Sequence, residues 1–140
     1  MIKNVSIVDY GLGNILSAQQ SFIKVANDNK IKANVVITNQ AKKIAESTHI
    51  VLPGQGAFET CMKGLSSIPH MINELTKSVI RNKIPFLGIC VGMQLLANTS
   101  YENGEHKGLG WIDGQIKKLP TNNLKLPHMG WNEVEIINSN

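Results

Sequence analysis

The run Ile84-Pro85-Phe86-Leu87-Gly88-Ile89-Cys90-Val91-Gly92-Met93-Gln94-Leu95-Leu96 constrains this chain more than any other stretch. Residues 84–89 are apolar and strand-like, and Met93-Gln94-Leu95-Leu96 reads as helix, so the backbone must turn sharply at Cys90. A side chain on such a strand-to-helix corner sits in strained geometry, and the positions two before and two after it must be small for the corner to close. Gly88 and Gly92 meet that demand. A thiol placed there would face the unpaired N–H groups and positive dipole end of the following helix, which favour the thiolate that attacks carbonyl carbon. The alternative is a structural cysteine buried at a strand end, because free cysteine is among the most buried residue types.

The residues before this corner alternate between strand and helix patterns. Val5-Ser6-Ile7-Val8 is a short apolar strand. It leads through Asp9-Tyr10-Gly11-Leu12-Gly13-Asn14 into an amphipathic stretch with Ile15, Leu16, Phe22, Ile23 and Val25. Asn14 is placed as a helix N-cap, and Leu16 stands where a dinucleotide fingerprint would need its third glycine, so that joint reads as a tight turn and a cap. Strands follow at 34–38 and 49–52, with a short helix between them over 41–46. A longer helix spans 70–82, and another runs from the cysteine to about Asn98. This alternation predicts an α/β fold: an open, mostly parallel sheet with helices on both faces. After a polar loop over 99–107 the pattern changes to short strands, 111–119 and 133–137, which predicts antiparallel strands late in the chain. The loop Pro53-Gly54-Gln55-Gly56-Ala57-Phe58 closes the third strand. Loops at the carboxyl ends of parallel strands are where open α/β sheets place their sites, and a residue between two glycines can offer its backbone N–H to an oxyanion. A plain flexible turn is the other reading.

With 140 residues, 42% of them hydrophobic, residues 1–140 are expected to form a single domain. No apolar run approaches membrane-spanning length, and the N-terminus enters a strand at once, so a cytoplasmic location is expected. Cys61 and Cys90 share no CxxC spacing, which indicates neither a zinc site nor a disulfide framework. The net charge is +4 and the sequence pI about 9.1. The positive residues are scattered and lack interleaved aromatics, so they read as a solvated basic surface rather than a nucleic-acid interface.

Taken together, Gly88-Ile89-Cys90-Val91-Gly92-Met93-Gln94, Asp9-Tyr10-Gly11-Leu12-Gly13-Asn14, Pro53-Gly54-Gln55-Gly56-Ala57-Phe58 and Pro127-His128-Met129-Gly130-Trp131-Asn132 resemble the class I, or triad, glutamine amidotransferases, whose fold is flavodoxin-like. Within that family they are similar to glutaminase subunits of histidine biosynthesis. The resemblance implies that Cys90 attacks the side-chain amide of L-glutamine, forms a glutamyl thioester and releases ammonia. The Gly54-Gln55-Gly56 loop and Val91 would supply the oxyanion donors, from the Gln55 and Val91 amides. Gln94 would bind glutamine, and Glu102 would hold the substrate's amino group. The ammonia would pass to a (β/α)8-barrel synthase, the cyclase subunit of a heterodimer, with Asn14, Trp131 and Asn132 at the partner interface. The resemblance implies no cofactor and no metal. A paralogue feeding another synthase, as in surface-saccharide biosynthesis, and a non-catalytic docking module are the alternatives.

The chain departs from the family pattern in two places. Gln55 stands where a small apolar residue is usual. The family's triad His and Glu lie beyond the Pro-His-Met-Gly-Trp-Asn motif, and the sequence given ends at Asn140, so a domain lacking the family's C-terminal part is expected, without its base. His128 belongs to the earlier motif and does not match that base. Only Cys90 has the glycine-flanked corner, so iodoacetamide should label it in preference to Cys61 by at least about tenfold, judged by peptide mass spectrometry. Preferential labelling of Cys61 would overturn the assignment.

Overall fold

A computed structural model of the chain describes residues 2–121, 125–127 and 129–137. The first four strands are β1 Lys3–Val8, β2 Ala33–Thr38, β3 His49–Gly54 and β4 Phe86–Cys90. All pair in parallel, in the order β2-β1-β3-β4. Parallel neighbours need crossovers, and these are supplied by α1 Ile15–Asp28, α2 Ala41–Ala45, α3 Phe58–Ser67 and α4 Met71–Thr76. The Asn14 side chain caps α1, its Oδ1 accepting from the Ser17 N–H at 3.2 Å.

Side-chain alternation along the strands divides the core between the two faces of the sheet. Val5, Ile7 and Val51 point to one face and pack against Ile15, Ala18 and Phe22 of α1. Val8, Ile50 and Leu52 point to the other, where Ile44, Phe58, Cys61, Leu65, Met71 and Leu75 from α2, α3 and α4 cover them. The expected α/β sheet with helices on both faces is therefore present. Among the described residues no helix is long and apolar enough to cross a membrane.

Four expectations require correction. The helix expected over 70–82 is α-helical only to Thr76 and then widens into a π-helical turn, Lys77–Arg81, in which the Asn82 N–H reaches the Lys77 carbonyl five residues back at 3.0 Å. Thr76 Oγ1 donates to the Ile72 carbonyl, a side-chain bond that competes with a regular helical ladder. The helix after the cysteine, α5, is only Val91–Gln94. Its continuation is pre-empted because the returning chain takes the carbonyls a second turn would use: Leu109 donates to Leu95, and Trp111 and Ile112 both donate to Leu96. The residues read as helix and polar loop instead give β5 Ala97–Ser100 and β6 His106–Lys107, joined by β7 Ile112–Ile116 in a second sheet ordered β6-β5-β7. Only β5 and β6 are antiparallel there, since β7 runs parallel to β5. The strand expected over 133–137 does not form: Val134, Ile136 and Ile137 are all at least 80% exposed, and a strand without a neighbour leaves its backbone groups unpaired.

The tightest packing lies where β3, β4 and α5 meet. A Cβ on Gly92 would overlap the Leu52 carbonyl oxygen and come within 2.8 Å of its carbon, and one on Gly88 would lie 2.7 Å from the Met93 Cα. All of these neighbours are backbone and cannot swing aside. Gly92→Ala should therefore cost about 3 kcal/mol or more, the upper range for overpacking. Gly114→Ala, where an added methyl meets nothing within 4 Å, should stay within about 0.5 kcal/mol of the parent. Urea denaturation compares the two, and equal stability of Gly92→Ala and the parent would contradict the contact.

Candidate active site at the end of β4

Cys90 ends β4 and begins α5 with φ 55° and ψ −121°, a left-side conformation that a non-glycine residue holds only under strong surrounding constraint. That constraint comes from both sides of the corner. Gly88 rests on the start of α5, and Gly92 rests on the end of β3, so the backbone can turn only at Cys90. The thiol is exposed, whereas Cys61 is fully buried among the core residues under the sheet. The buried-cysteine alternative thus describes Cys61 and not Cys90.

The β3–β4 register pairs Gly54 with Cys90, which brings the glycine loop beside the thiol. Gly54 is buried because a Cβ there would overlap the Gly92 nitrogen and approach the Tyr10 hydroxyl to 2.9 Å. Gln55 follows as an exposed residue, and Gly56 turns the chain away with φ 96°. Val91 is the first residue of α5, so its N–H has no partner inside that helix. Gln94, half-buried, closes the same short turn.

Cys90, Gly54 and Gln55 line a groove of about 660 Å³ together with Asn14, Ser17 and Phe22. Leu87 and Ile89 form its far wall. They pair with Val51 and Pro53 and so lie on the α1 face of the sheet, 48% and 36% exposed. The groove's lining is mixed: apolar Phe22, Leu87 and Ile89 alternate with polar Asn14, Ser17 and Gln55.

The structure therefore brings together Cys90, Gly54, Gln55 and Asn14, with Val91 and Gln94 on the adjoining turn and Gly56 one residue beyond the groove. Glu102 stands at a different point: its Oε2 accepts the Phe58 N–H at 2.7 Å, which caps the start of α3 just after the glycine loop. Trp131 and Asn132 are exposed and do not line the groove. His128 lies outside the described residues. Of the three described histidines, His49 begins β3 at the end away from Gly54, His70 precedes α4, and His106 lies in β6 near Glu59. None of the three lines the groove. Among the described residues no cluster of His, Cys, Asp and Glu could hold a metal ion.

Two side chains around the loop were given no role in the sequence reading. Tyr10 Oη donates to the Pro53 carbonyl at 2.6 Å, and Cys61 Sγ to the Gln55 carbonyl at 3.4 Å. The only sequence signal was Tyr10's place inside the Asp-Tyr-Gly motif.

Comparison with known proteins gives this geometry a family. The family model described as glutamine amidotransferase class-I matches residues 6–136. The imidazole glycerol phosphate synthase subunit HisH of Pelagibacter ubique is 47% identical over 136 residues, covering 96% of this chain and 64% of that protein. The subunits of the same name from Brucella suis and Rhodospirillum rubrum are 40% and 42% identical, with 96% and 94% of this chain matched to 63% and 62% of theirs. The chain thus spans less than two thirds of the length of these curated relatives. With the cysteine corner, the glycine loop beside it and a match over residues 6–136, the chain belongs to the class-I glutamine amidotransferase family.

Proposed function

We propose that this chain carries the nucleophile and oxyanion donors of a glutaminase subunit that supplies ammonia to a (β/α)8-barrel cyclase subunit, with imidazole glycerol phosphate and an aminoimidazole carboxamide ribotide as products. The observation that carries this reading is Cys90, strained and exposed on its corner, in one groove with the Gly54-Gln55 loop. That similar proteins are subunits of imidazole glycerol phosphate synthase supports a synthase partner.

In this mechanism the Cys90 thiolate attacks the side-chain carbonyl carbon of L-glutamine. A C–S bond forms and the carbonyl π pair moves onto oxygen. The amides of Gln55 and Val91 donate to that oxyanion, a preorganised arrangement that stabilises charge only as it develops. Collapse re-forms the carbonyl and breaks the C–N bond, and nitrogen leaves as ammonia after taking a proton. Water then attacks the thioester, giving glutamate and restoring the thiol. Gln94 and the Glu102 carboxylate, which keeps acceptor capacity beyond its bond to Phe58, would hold the amino-acid end of the substrate. Asn14, which lines the groove, and the exposed Trp131 and Asn132 would meet the synthase.

Both proton transfers need a base, and no described histidine is in the groove. We assign the base to residues outside those described. General acid–base catalysis contributes about 10²–10⁴-fold, so a polypeptide of residues 1–140 alone, tested with the synthase, should hydrolyse glutamine slower than a full-length relative by about that factor. A comparable rate that Cys90→Ala abolishes would show a base within these residues. No glutamine-dependent chemistry at Cys90 at all would instead favour a docking module.

Gln55 is assigned a role through its main chain alone. In a version carrying the relatives' full length, Gln55→Val should keep turnover within several-fold, whereas Gln55→Pro, which lacks the N–H, should lower kcat by ~100-fold or more. Equal damage from the two substitutions would refute that role.

A further inference from the structure

We propose that Tyr10 and Cys61 are positioning residues that grip the glycine loop from beneath and hold the Gln55 amide in place beside Cys90. The inference rests on the reading of Gln55 as an oxyanion donor and adds what keeps that donor aimed.

The loop has reason to need holding. Gly54 and Gly56 flank Gln55, and glycine loses more backbone freedom on ordering than any other residue. An oxyanion donor is effective only when its orientation is settled before the charge appears. On the strand side the loop is tied by the pairing of Gly54 with Cys90. Past that point the ladder ends.

Cys61 takes over there, and Tyr10 anchors the chain just before it, at Pro53. Tyr10 Oη donates to the carbonyl of Pro53 at 2.6 Å and Cys61 Sγ to the carbonyl of Gln55 at 3.4 Å, so the peptides on either side of the Gly54–Gln55 peptide are both drawn toward the core. A trans peptide carries its N–H opposite its C=O, so drawing these carbonyls inward turns the Gly54 and Gly56 N–H groups away from the two anchors. Gln55 is held at both ends.

The anchors are themselves fixed. Both side chains are buried, Cys61 completely. The Tyr10 residue has space because two positions around it are glycines: a Cβ at Gly64 would lie 2.9 Å from the Tyr10 carbonyl oxygen and 3.1 Å from its ring, and one at Gly54 would lie 2.9 Å from its hydroxyl. Burial, and next the neighbouring Cys61, push the Tyr10 phenol well above its ordinary range, so it stays a protonated donor at any working pH.

The test is backbone ¹⁵N relaxation on the intact chain with Tyr10→Phe, Cys61→Ala and Cys61→Ser. Tyr10→Phe keeps the ring and removes only the donor. The order parameters of Gln55 and Gly56 should fall from about 0.85 to below about 0.6 in Tyr10→Phe and Cys61→Ala, and recover in Cys61→Ser, which keeps a donor; Val51 and Leu52 should not change. Unchanged values at Gln55 and Gly56, or a loss spread evenly along β3, would overturn the proposal. A second readout is the rate of Cys90 alkylation by a chloroketone analogue of glutamine relative to iodoacetamide, which has no ketone oxygen to seat in the hole. That ratio should drop at least about tenfold in Tyr10→Phe, a fraction of the loss from deleting a donor outright. A ratio unchanged from a selective parent would overturn the positioning role. A parent with no selectivity for the chloroketone would refute the glutaminase reading, while the relaxation data would still decide whether the loop is gripped.

Discussion

The arrangement depends on the contact between the backbone of Gly92 and the carbonyl of Leu52. A strand-to-helix corner can press against its neighbouring strand this closely only where neither surface carries a side chain. Because α5 packs on the end of β3, the corner cannot relax, and Cys90 keeps its positive φ. The same contact fixes the height of the thiol relative to the glycine loop. Gly54 is wedged against Gly92 and the Tyr10 hydroxyl, so the loop, the corner and the first βα joint form one packed unit. Strain at the cysteine is offset by the core on that side of the sheet, where Leu52, Phe58, Leu65 and Leu95 are fully buried.

Much of this was legible in the residues because it rests on local rules. Alternating strand and helix patterns gave the parallel sheet, Asn14 gave its cap, and two glycines at fixed offsets gave the corner at Cys90. What escaped the sequence reading depends on distant partners. Nothing in Leu95-Leu96-Ala97 announces that its carbonyls are taken by residues 109–112, so the local pattern extends the helix after the cysteine beyond its true end. Likewise the 133–137 stretch has the composition of a strand, but a strand exists only where another lies beside it. The residues around Tyr10 and Cys61 announce no contact with the loop; their hydrogen bonds to it join residues 43 and 6 positions apart and become visible only in three dimensions.

The groove beside Cys90 is unlike an enclosed pocket. Its wall is β4, a strand paired on one side only among the described residues, and Leu87 and Ile89 stand half out of the core on the face that α1 only partly covers. An edge strand with exposed apolar side chains is a surface that proteins ordinarily cover or blunt. The relatives are longer than the span matched here by over a third of their length. The exposed Cys90, the glycine loop and the first βα joint are thus gathered within one span, while the proposed proton transfer is assigned to residues outside those described.

The account stands most directly on whether Cys90 forms a covalent acyl adduct with glutamine. The decisive measurement is acid quench of the chain after incubation with isotopically labelled L-glutamine, followed by peptide mass spectrometry. The expected result is a hydroxylamine-sensitive glutamyl group on the Cys90 peptide, absent from Cys61 and from Cys90→Ala. Release of labelled glutamate with no adduct at Cys90, undiminished in Cys90→Ala, would contradict it.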